Sequence, residues 1–189
     1  MKRIILASGS EIRKQLLIEN NIKFEVIKPF CDEEEVKKSL VPKNLPLKQL
    51  ALELAIAKAK SVSEKFPDAY VIGSDQICEL DGEIISKSNN EDEAFTSLKK
   101  MNGKTHFQNN GTCILLNSKP VMEHIEIAEL TMKNLSDAEI WDYIKKDNPI
   151  GCAGSYKFEL NGKNLFSEVK GSREAILGFA VSKVVEFIS

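Results

Sequence analysis

The chain has little of what builds metal clusters, disulfide frameworks and membrane spans. Its 189 residues include two histidines and only four cysteines, which are scattered at Cys31, Cys78, Cys113 and Cys152. With no Cys-x-x-Cys pair, this spacing argues against structural zinc and disulfides and fits a reducing cytosol. No apolar stretch approaches the length of a membrane span. The short apolar run Ile4 to Ala7 is also too brief for a secretory signal.

An excess of charge of one sign is missing as well. The formal net charge is −2, so no global basic field is available to hold nucleic acid. A local cluster of Lys and Arg can still bind a small anion. Since 42% of the residues are hydrophobic, the chain can bury a normal core. We expect a cytoplasmic protein with neither nucleic acid nor membrane as partner, forming one domain over residues 1–189, or one domain with two lobes.

Apolar periodicity predicts alternating strands and helices, a mixed α/β order. The predicted strands cover residues 4–7, 23–28, 69–74, 77–80, 83–85, 105–116 and 121–133. The predicted helices cover residues 11–20, 47–64, 90–101, 136–148 and 173–189. Ser10 is expected to cap the first of these helices, and Ser136 with Glu139 matches a capping box at the start of the fourth. The isolated His106 is expected to be a surface or strand residue. The acidic stretch 31–46 is expected to be mostly loop.

Two acidic positions are candidates for chemistry. The apolar run Val71 to Gln76 is expected to end as a strand at Gly-Ser-Asp, which would present Asp75 where α/β clefts lie. Asp75 can ligate a metal or act as a general base, although a capping aspartate is the common alternative. Glu33, in the acidic run Asp32 to Glu35, is either a second acid or part of a solvated surface.

Several cationic and hydroxyl side chains suit an anionic ligand. Ser8 and Arg13 flank a small-residue turn that opens the first helix, where backbone N–H groups and the helix dipole favour phosphate. An ordinary helix cap is the alternative for this turn. Lys58 lies among alanines on the helix 47–64 and Lys87 follows the hairpin, yet isolated lysines of this kind usually face solvent. Together with the carboxylates, these residues suit a metal-assisted reaction on a polyphosphate.

The motifs in series resemble the Maf family of nucleoside triphosphate pyrophosphatases. The pattern Leu-Ala-Ser-x-Ser-Pro-x-Arg reads here as Leu6 to Arg13, with Glu11 at the proline position. Lys87 matches the lysine of the family's Gly-Lys-Pro motif, although Ser86 and Ser88 replace its glycine and proline. The other matching segments are Asp32-Glu33, Ala55 to Ala59, Gly73 to Gln76, Ala153 to Glu159, and Leu177 to Ala180. The resemblance covers essentially the whole chain, in the right order.

This resemblance implies a fold and a reaction. The fold would be a mixed elongated sheet flanked by helices, with two lobes and a cleft between them, as in enzymes of the inosine triphosphatase type. The reaction would be hydrolysis of a nucleoside triphosphate to the monophosphate and pyrophosphate with Mg²⁺ or Mn²⁺. Asp75 and Glu33 would serve as metal ligands or base. Arg13, Lys58, Lys87 and Ser8 would bind the triphosphate, and a homodimer is left open.

Three further positions bear on the base. Gln76 and Glu159 resemble the family branch that acts on 7-methyl-GTP, rather than the branch that acts on dTTP and UTP. Ile12 matches neither branch, because the first usually carries Trp there and the second Arg. An aromatic face would attract the cationic methylated base, which Ile12 cannot do. We therefore expect a preference for guanine, with only a weak reward for the methyl group.

Two other functions remain as alternatives. One is a non-catalytic nucleotide-binding regulator of cell division or septum formation, a role attached to the family name. The second is a hydrolase of the inosine triphosphatase type, whose motifs differ. Release of pyrophosphate from a nucleotide would separate an enzyme from a regulator.

Overall fold

The computed structural model describes residues 2–40 and 44–189 and shows a mixed α/β fold. The helices are α1 Glu11–Glu19, α2 Glu33–Leu40, α3 Leu47–Ser63, α4 Glu91–Met101, α5 Asp137–Asp147, α6 Arg173–Leu177 and α7 Val181–Ile188. The strands are β1 Ile4–Leu6, β2 Glu25–Val26, β3 Tyr70–Leu80, β4 Glu83–Ile85, β5 Thr105–Leu116, β6 Lys119–Met132 and β7 Phe166–Lys170. Short 3₁₀ turns occupy Ala153–Ser155 and Gly162–Leu165. Within the described ranges, the strands form one seven-stranded sheet in the order β2-β1-β3-β5-β6-β7, with β4 paired to β3.

The described chain divides into two compact units. The first contains residues 1–76, 109–126 and 177–189, and the second contains residues 77–108 and 127–176. Met1 and residues 41–43 lie outside the residues that the structure describes. Among the rest, no helix has both the length and the apolarity that a bilayer crossing demands.

The first unit is organised around buried parallel strands. β1 pairs in parallel with β2 and with β3, with Leu6 opposite Ile72. Ile5, Leu6, Val71 and Ile72 are fully buried. Strands that are buried on both faces are continuous apolar runs in the sequence, which is why these strands could be located from the sequence.

Helix α3 packs unusually close to this sheet. A Cβ on Gly73 of β3 would lie 2.3 Å from the Ala55 carbonyl oxygen and 2.8 Å from the Ala59 Cβ. A Cβ on Gly111 of β5 would lie 2.3 Å from the Leu52 Cα. Glycine on the strands and alanine on the helix therefore allow backbone to approach backbone. The helix residue Lys58 is carried toward the strand by this approach.

The second unit has its own apolar core, to which α4, α5 and the parts of β3 and β6 in this unit contribute. Leu80, Leu98, Leu130, Ile140 and Ile144 are among its fully buried members. Asn90 caps α4 through its side chain, and Ser136 with Glu139 forms a capping box at the start of α5. The box predicted for Ser136 is thereby confirmed.

Four sequence expectations about elements are wrong. β3 does not stop at Asp75 but runs to Leu80, because its second half pairs with β4 in the predicted hairpin. Of the described residues in the stretch 31–46, most are not loop, since α2 forms there; residues 41–43 of this stretch lie outside the described residues. The closing segment 173–189 is two helices, which break at Gly178 with φ of 77°. The predicted strand 23–28 is reduced to the two exposed residues of β2.

The helix α2 has a physical cause that the sequence contains. The Asp32 Oδ1 accepts from the backbone N–H of Glu34 at 2.9 Å and of Glu35 at 3.3 Å, as an N-cap does. Acidic residues fill its first turn, and Lys37 and Lys38 its last, which complements the helix dipole. An N-cap followed by acids and then lysines is therefore a helix signal here, not a loop signal.

The glycine contact with α3 predicts a test of packing. Gly73→Ala should lower the free energy of unfolding by about 1–3 kcal/mol or more, because the new methyl group meets backbone rather than a mobile side chain. Urea unfolding measures the loss. Gly9→Ala is the control, since its Cβ would meet only the Lys28 Cε at 3.9 Å. Equal effects of the two substitutions would contradict the close-packing account.

Candidate active site

A half-buried ammonium group in the first unit is shared by two carboxylates. The Lys58 Nζ donates to the Asp75 Oδ1 and forms an ion pair with the Glu33 Oε2 at 2.7 Å. The Asp75 side chain is 4% exposed and that of Lys58 12%. Three of the residues singled out in the sequence are thus brought together from α2, α3 and β3.

The position of Asp75 on its strand explains its accessibility to Lys58. β1 ends its ladder with β3 at Ile72, so Asp75 lies three residues beyond the end of its parallel neighbour. The expectation of a strand end at Asp75 is wrong for β3, whose neighbour β1 ends opposite Ile72, three residues earlier. Gly73 lets α3 come close enough for the lysine to reach the carboxylate.

Glu33 has a second cationic partner. The Lys37 Nζ lies 3.2 Å from the Glu33 Oε1, one helical turn along α2. Glu33 is the first residue of α2, so the Asp32 cap that starts this helix also sets the position of the carboxylate. The Asp32 side chain itself is used by the helix cap.

Arg13 ties the turn before α1 to the end of β3. Its Nη1 donates to the Ser74 carbonyl at 2.8 Å and to the Ser8 Oγ at 3.3 Å, and its Nε donates to the Gly178 carbonyl at 3.2 Å. Burial lowers the pKa of Arg13 while the charges of Asp75 and Glu33 raise it, and a guanidinium remains protonated under these conditions. The guanidinium is therefore a fixed positive charge held by framework carbonyls.

Ser8, rather than Ser10, supplies the hydroxyl of this turn. Ser8 is buried, and its Oγ accepts from the Ser10 backbone N–H at 3.2 Å. Ser10 occupies the N-cap position of α1, as predicted, but makes no side-chain cap bond. The prediction that the Ser10 side chain caps the helix is wrong.

Two residues proposed to read the base lie near this cluster in the chain. Gln76 is half-buried next to Gly178, where an added Cβ would lie 2.8 Å from the Gln76 Cδ. Ile12 is half-exposed on α1, one residue before Arg13. Gly178 thus gives Gln76 its place, while its carbonyl accepts from Arg13 and from the Ser74 Oγ at 2.8 Å.

Lys87 and Glu159 belong to the second unit, and both are exposed. Within that unit they lie close enough to the Cys152 thiol to act on its pKa, which burial raises most. Lys157 and Lys87 lower that pKa and Glu159 raises it. Both residues therefore act on the pKa of one thiol of the second unit.

The segment that carries Glu159 is braced by α5. The Tyr143 hydroxyl oxygen accepts from the Lys157 backbone N–H at 2.8 Å. The Asp147 carboxylate accepts from the Asn161 backbone N–H at 2.9 Å and from its side-chain amide at 2.6 Å. The sequence gives no direct signal for these braces, because each joins positions fourteen residues apart.

The sequence also missed a buried polar group in the second unit. His106, expected at the surface or on a strand, is a fully buried strand residue, and burial lowers its pKa to about 4. Its Nε2 lies 3.0 Å from the Tyr156 hydroxyl, to which the Gln108 amide donates at 2.7 Å. This network fixes Tyr156 beside the turn 153–155.

The donor set has a limited capacity for metal. Among residues 2–40 and 44–189, no three His, Cys, Asp or Glu side chains gather as a metal cage. The pair Asp75 and Glu33 fits a magnesium-like ion, which is usually held by one or two carboxylates together with substrate phosphates. The residues present therefore fit a metal that substrate phosphates also help to hold.

Comparison with known proteins identifies the family of this chain. The family model described as Maf-like protein matches residues 3–189. A nucleoside triphosphate pyrophosphatase of Pelagibacter ubique is 40% identical over 100% of this chain and 97% of its own length. Proteins of the same name from Legionella pneumophila and Ruegeria pomeroyi are 37% and 35% identical, over 97% and 98% of this chain and 91% and 94% of their own lengths. The chain belongs to the Maf-like family.

The shared ammonium predicts a coupled loss of stability. Lys58→Met should lower the free energy of unfolding by about 3 kcal/mol or more, because it leaves the Asp75 carboxylate buried without its cation. Adding Asp75→Asn to this variant should recover most of the loss. Lys37→Met, which removes a more exposed partner of Glu33, should cost about 1 kcal/mol or less. Urea unfolding of these proteins and of the Asp75→Asn single variant measures the losses, and strictly additive losses for Lys58→Met and Asp75→Asn would contradict the pairing.

Proposed function

We propose that the chain hydrolyses a guanine-type nucleoside triphosphate, such as GTP or 7-methyl-GTP, to the monophosphate and pyrophosphate. The observation that carries the proposal is the Lys58 ammonium between Asp75 and Glu33, next to the Ser8 turn and the Arg13 guanidinium. Carboxylates to activate water and cations to receive phosphate are the two needs of this reaction. The names of the relatives and the membership of the Maf-like family support the same reaction.

The two carboxylates act on the attacking water, either directly or through a metal. Asp75 acts as general base or metal ligand, and Glu33 is the second acid. A bound divalent cation, Mg²⁺ or Mn²⁺, would offset charge on phosphate oxygens and make a bound water more acidic. Lys58 holds both carboxylates in place before substrate arrives, which limits their reorganisation during the reaction.

The cations and the Ser8 turn bind the triphosphate. Arg13 and Lys58 stabilise negative charge that develops as pyrophosphate departs. Arg13 does so from a fixed place, because two of its nitrogens are held by protein oxygens. Ser8 and the first N–H groups of α1 hold phosphate oxygens. Lys87, on the second unit, is a further phosphate ligand.

The base is read by Ile12, Gln76 and Glu159. The Glu159 carboxylate can accept from both the N1–H and the N2 amino group of guanine, two donors that uracil and thymine do not offer together. Ile12 gives apolar contact but no aromatic face for a cationic base. The preference is therefore for guanine, with a narrow margin for its 7-methyl form.

The reaction predicts its own products. Purified protein with Mg²⁺ or Mn²⁺ should release pyrophosphate and a nucleoside monophosphate in equal amounts, and EDTA should stop the release. Chromatography of the nucleotide with an assay for pyrophosphate measures both. Orthophosphate with a nucleoside diphosphate would show cleavage at the other anhydride. A bound nucleotide that is not hydrolysed would favour the non-catalytic regulator.

The base assignment predicts a change in selectivity. Glu159→Gln should shift kcat/KM away from GTP and toward UTP and dTTP, because one acceptor becomes a donor. Ile12→Trp should widen the margin of 7-methyl-GTP over GTP by up to about tenfold, since a cation–π contact adds roughly 0.5–2 kcal/mol. The measurement is kcat/KM for the four nucleotides on three proteins. A native enzyme that prefers UTP or dTTP by more than about tenfold would contradict the assignment.

A further inference from the structure

The turn before Glu159 contains a strained and fully buried serine. Gly154 has φ of 76° and Ser155 φ of 57°, two consecutive left-handed residues within the 3₁₀ turn. Ser155 is 0% exposed, so it cannot relax toward solvent. A non-glycine residue keeps such a conformation only where its surroundings impose it.

The surroundings of Ser155 include the segment that carries Lys87. The Ser155 Oγ donates to the Ser88 Oγ at 3.1 Å, and both hydroxyls are buried. The Ser88 carbonyl also accepts from the Gly151 backbone N–H at 2.9 Å. Ser88 stands where the resembling family has proline, which has no hydroxyl to offer.

The two segments meet at these bonds, and Cys152 lies in sequence between Gly151 and Ser155, which form them. Burial raises the pKa of the half-buried Cys152 thiol most, while Glu159 raises and Lys87 lowers that pKa. Lys87, proposed for phosphate, directly precedes Ser88, and Glu159, proposed for the base, follows Ser155 in the same segment, so both are close in sequence to one joint. The joint is made by the backbone bond at Gly151 and by the hydroxyl pair.

We infer that Ser88 and Ser155 are positioning residues whose hydroxyl pair, here named the clasp, fixes the Lys87 segment to the Glu159 segment. Recognition of the triphosphate and recognition of the base then depend on each other through the clasp. This inference rests on the proposed function for the roles of Lys87 and Glu159. The two bonds that form the joint are present in the structure whatever the activity of the protein.

A kinetic cycle tests the coupling. Ser88→Ala and Ser155→Ala should each raise KM for GTP by about two- to tenfold and narrow the preference for GTP over UTP, while kcat changes less. The double variant should do no more than either single variant, because one bond is lost in all three. Ser167→Ala is the control, since it removes an exposed hydroxyl bond to the Thr131 carbonyl in the same unit. Unchanged KM and preference, or additive effects, would overturn the inference.

Alkylation of Cys152 tests the joint without turnover. In a Cys31→Ser background the remaining thiols, Cys78 and Cys113, are buried, so iodoacetamide should report mainly on Cys152. Either serine variant should speed its modification by about two- to tenfold, and the double variant equally. An unchanged rate would overturn the clasp. If the unsubstituted enzyme released no pyrophosphate, the proposed function would fail while this measurement still decided the clasp.

Discussion

The sharing of the half-buried Lys58 ammonium by two carboxylates is the interaction on which the candidate site of the first unit depends. Lys58 can neutralise Asp75 and Glu33 only if a helix and a strand approach at backbone contact, and only if a second helix begins at Glu33. An isolated buried carboxylate would be costly, so the cluster requires all three elements at once. The same requirement leaves two acids preorganised near a fixed guanidinium, which suits chemistry on a polyphosphate.

Glycines and backbone carbonyls determine much of where these charged groups lie. Gly73 admits α3 to the sheet, and Gly178 ends α6 so that its carbonyl can accept from Arg13 and Ser74. Neither glycine carries chemistry, yet both determine where charged groups lie. In the second unit hydroxyl groups act similarly, because the Ser88 and Ser155 pair and the Tyr143 brace fix the segments that carry Lys87 and Glu159.

Local pattern was sufficient for most elements of the fold and for the candidate residues. The buried strand β1, the start of β3, α3, α4 and the capping box of α5 follow from apolar runs and cap residues that act over short distances. The end of β3 and the break at Gly178 could not be predicted, because each depends on partners far along the chain. The helix α2 was predictable from the Asp32 cap and the lysines after it. Tertiary bonds such as those of Arg13 had no local signal.

The central claim is that Asp75 acts in the chemistry and does more than complete an ion pair. Asp75→Asn keeps the shape and the hydrogen-bonding capacity while removing the charge. The direct measurement is kcat for pyrophosphate release by this variant in buffer without urea. Urea unfolding curves first establish that the variant is fully folded in that buffer. The account predicts a fall of roughly two orders of magnitude or more. A kcat near that of the unsubstituted protein, with only the stability lowered, would show that Asp75 is structural and would contradict the account.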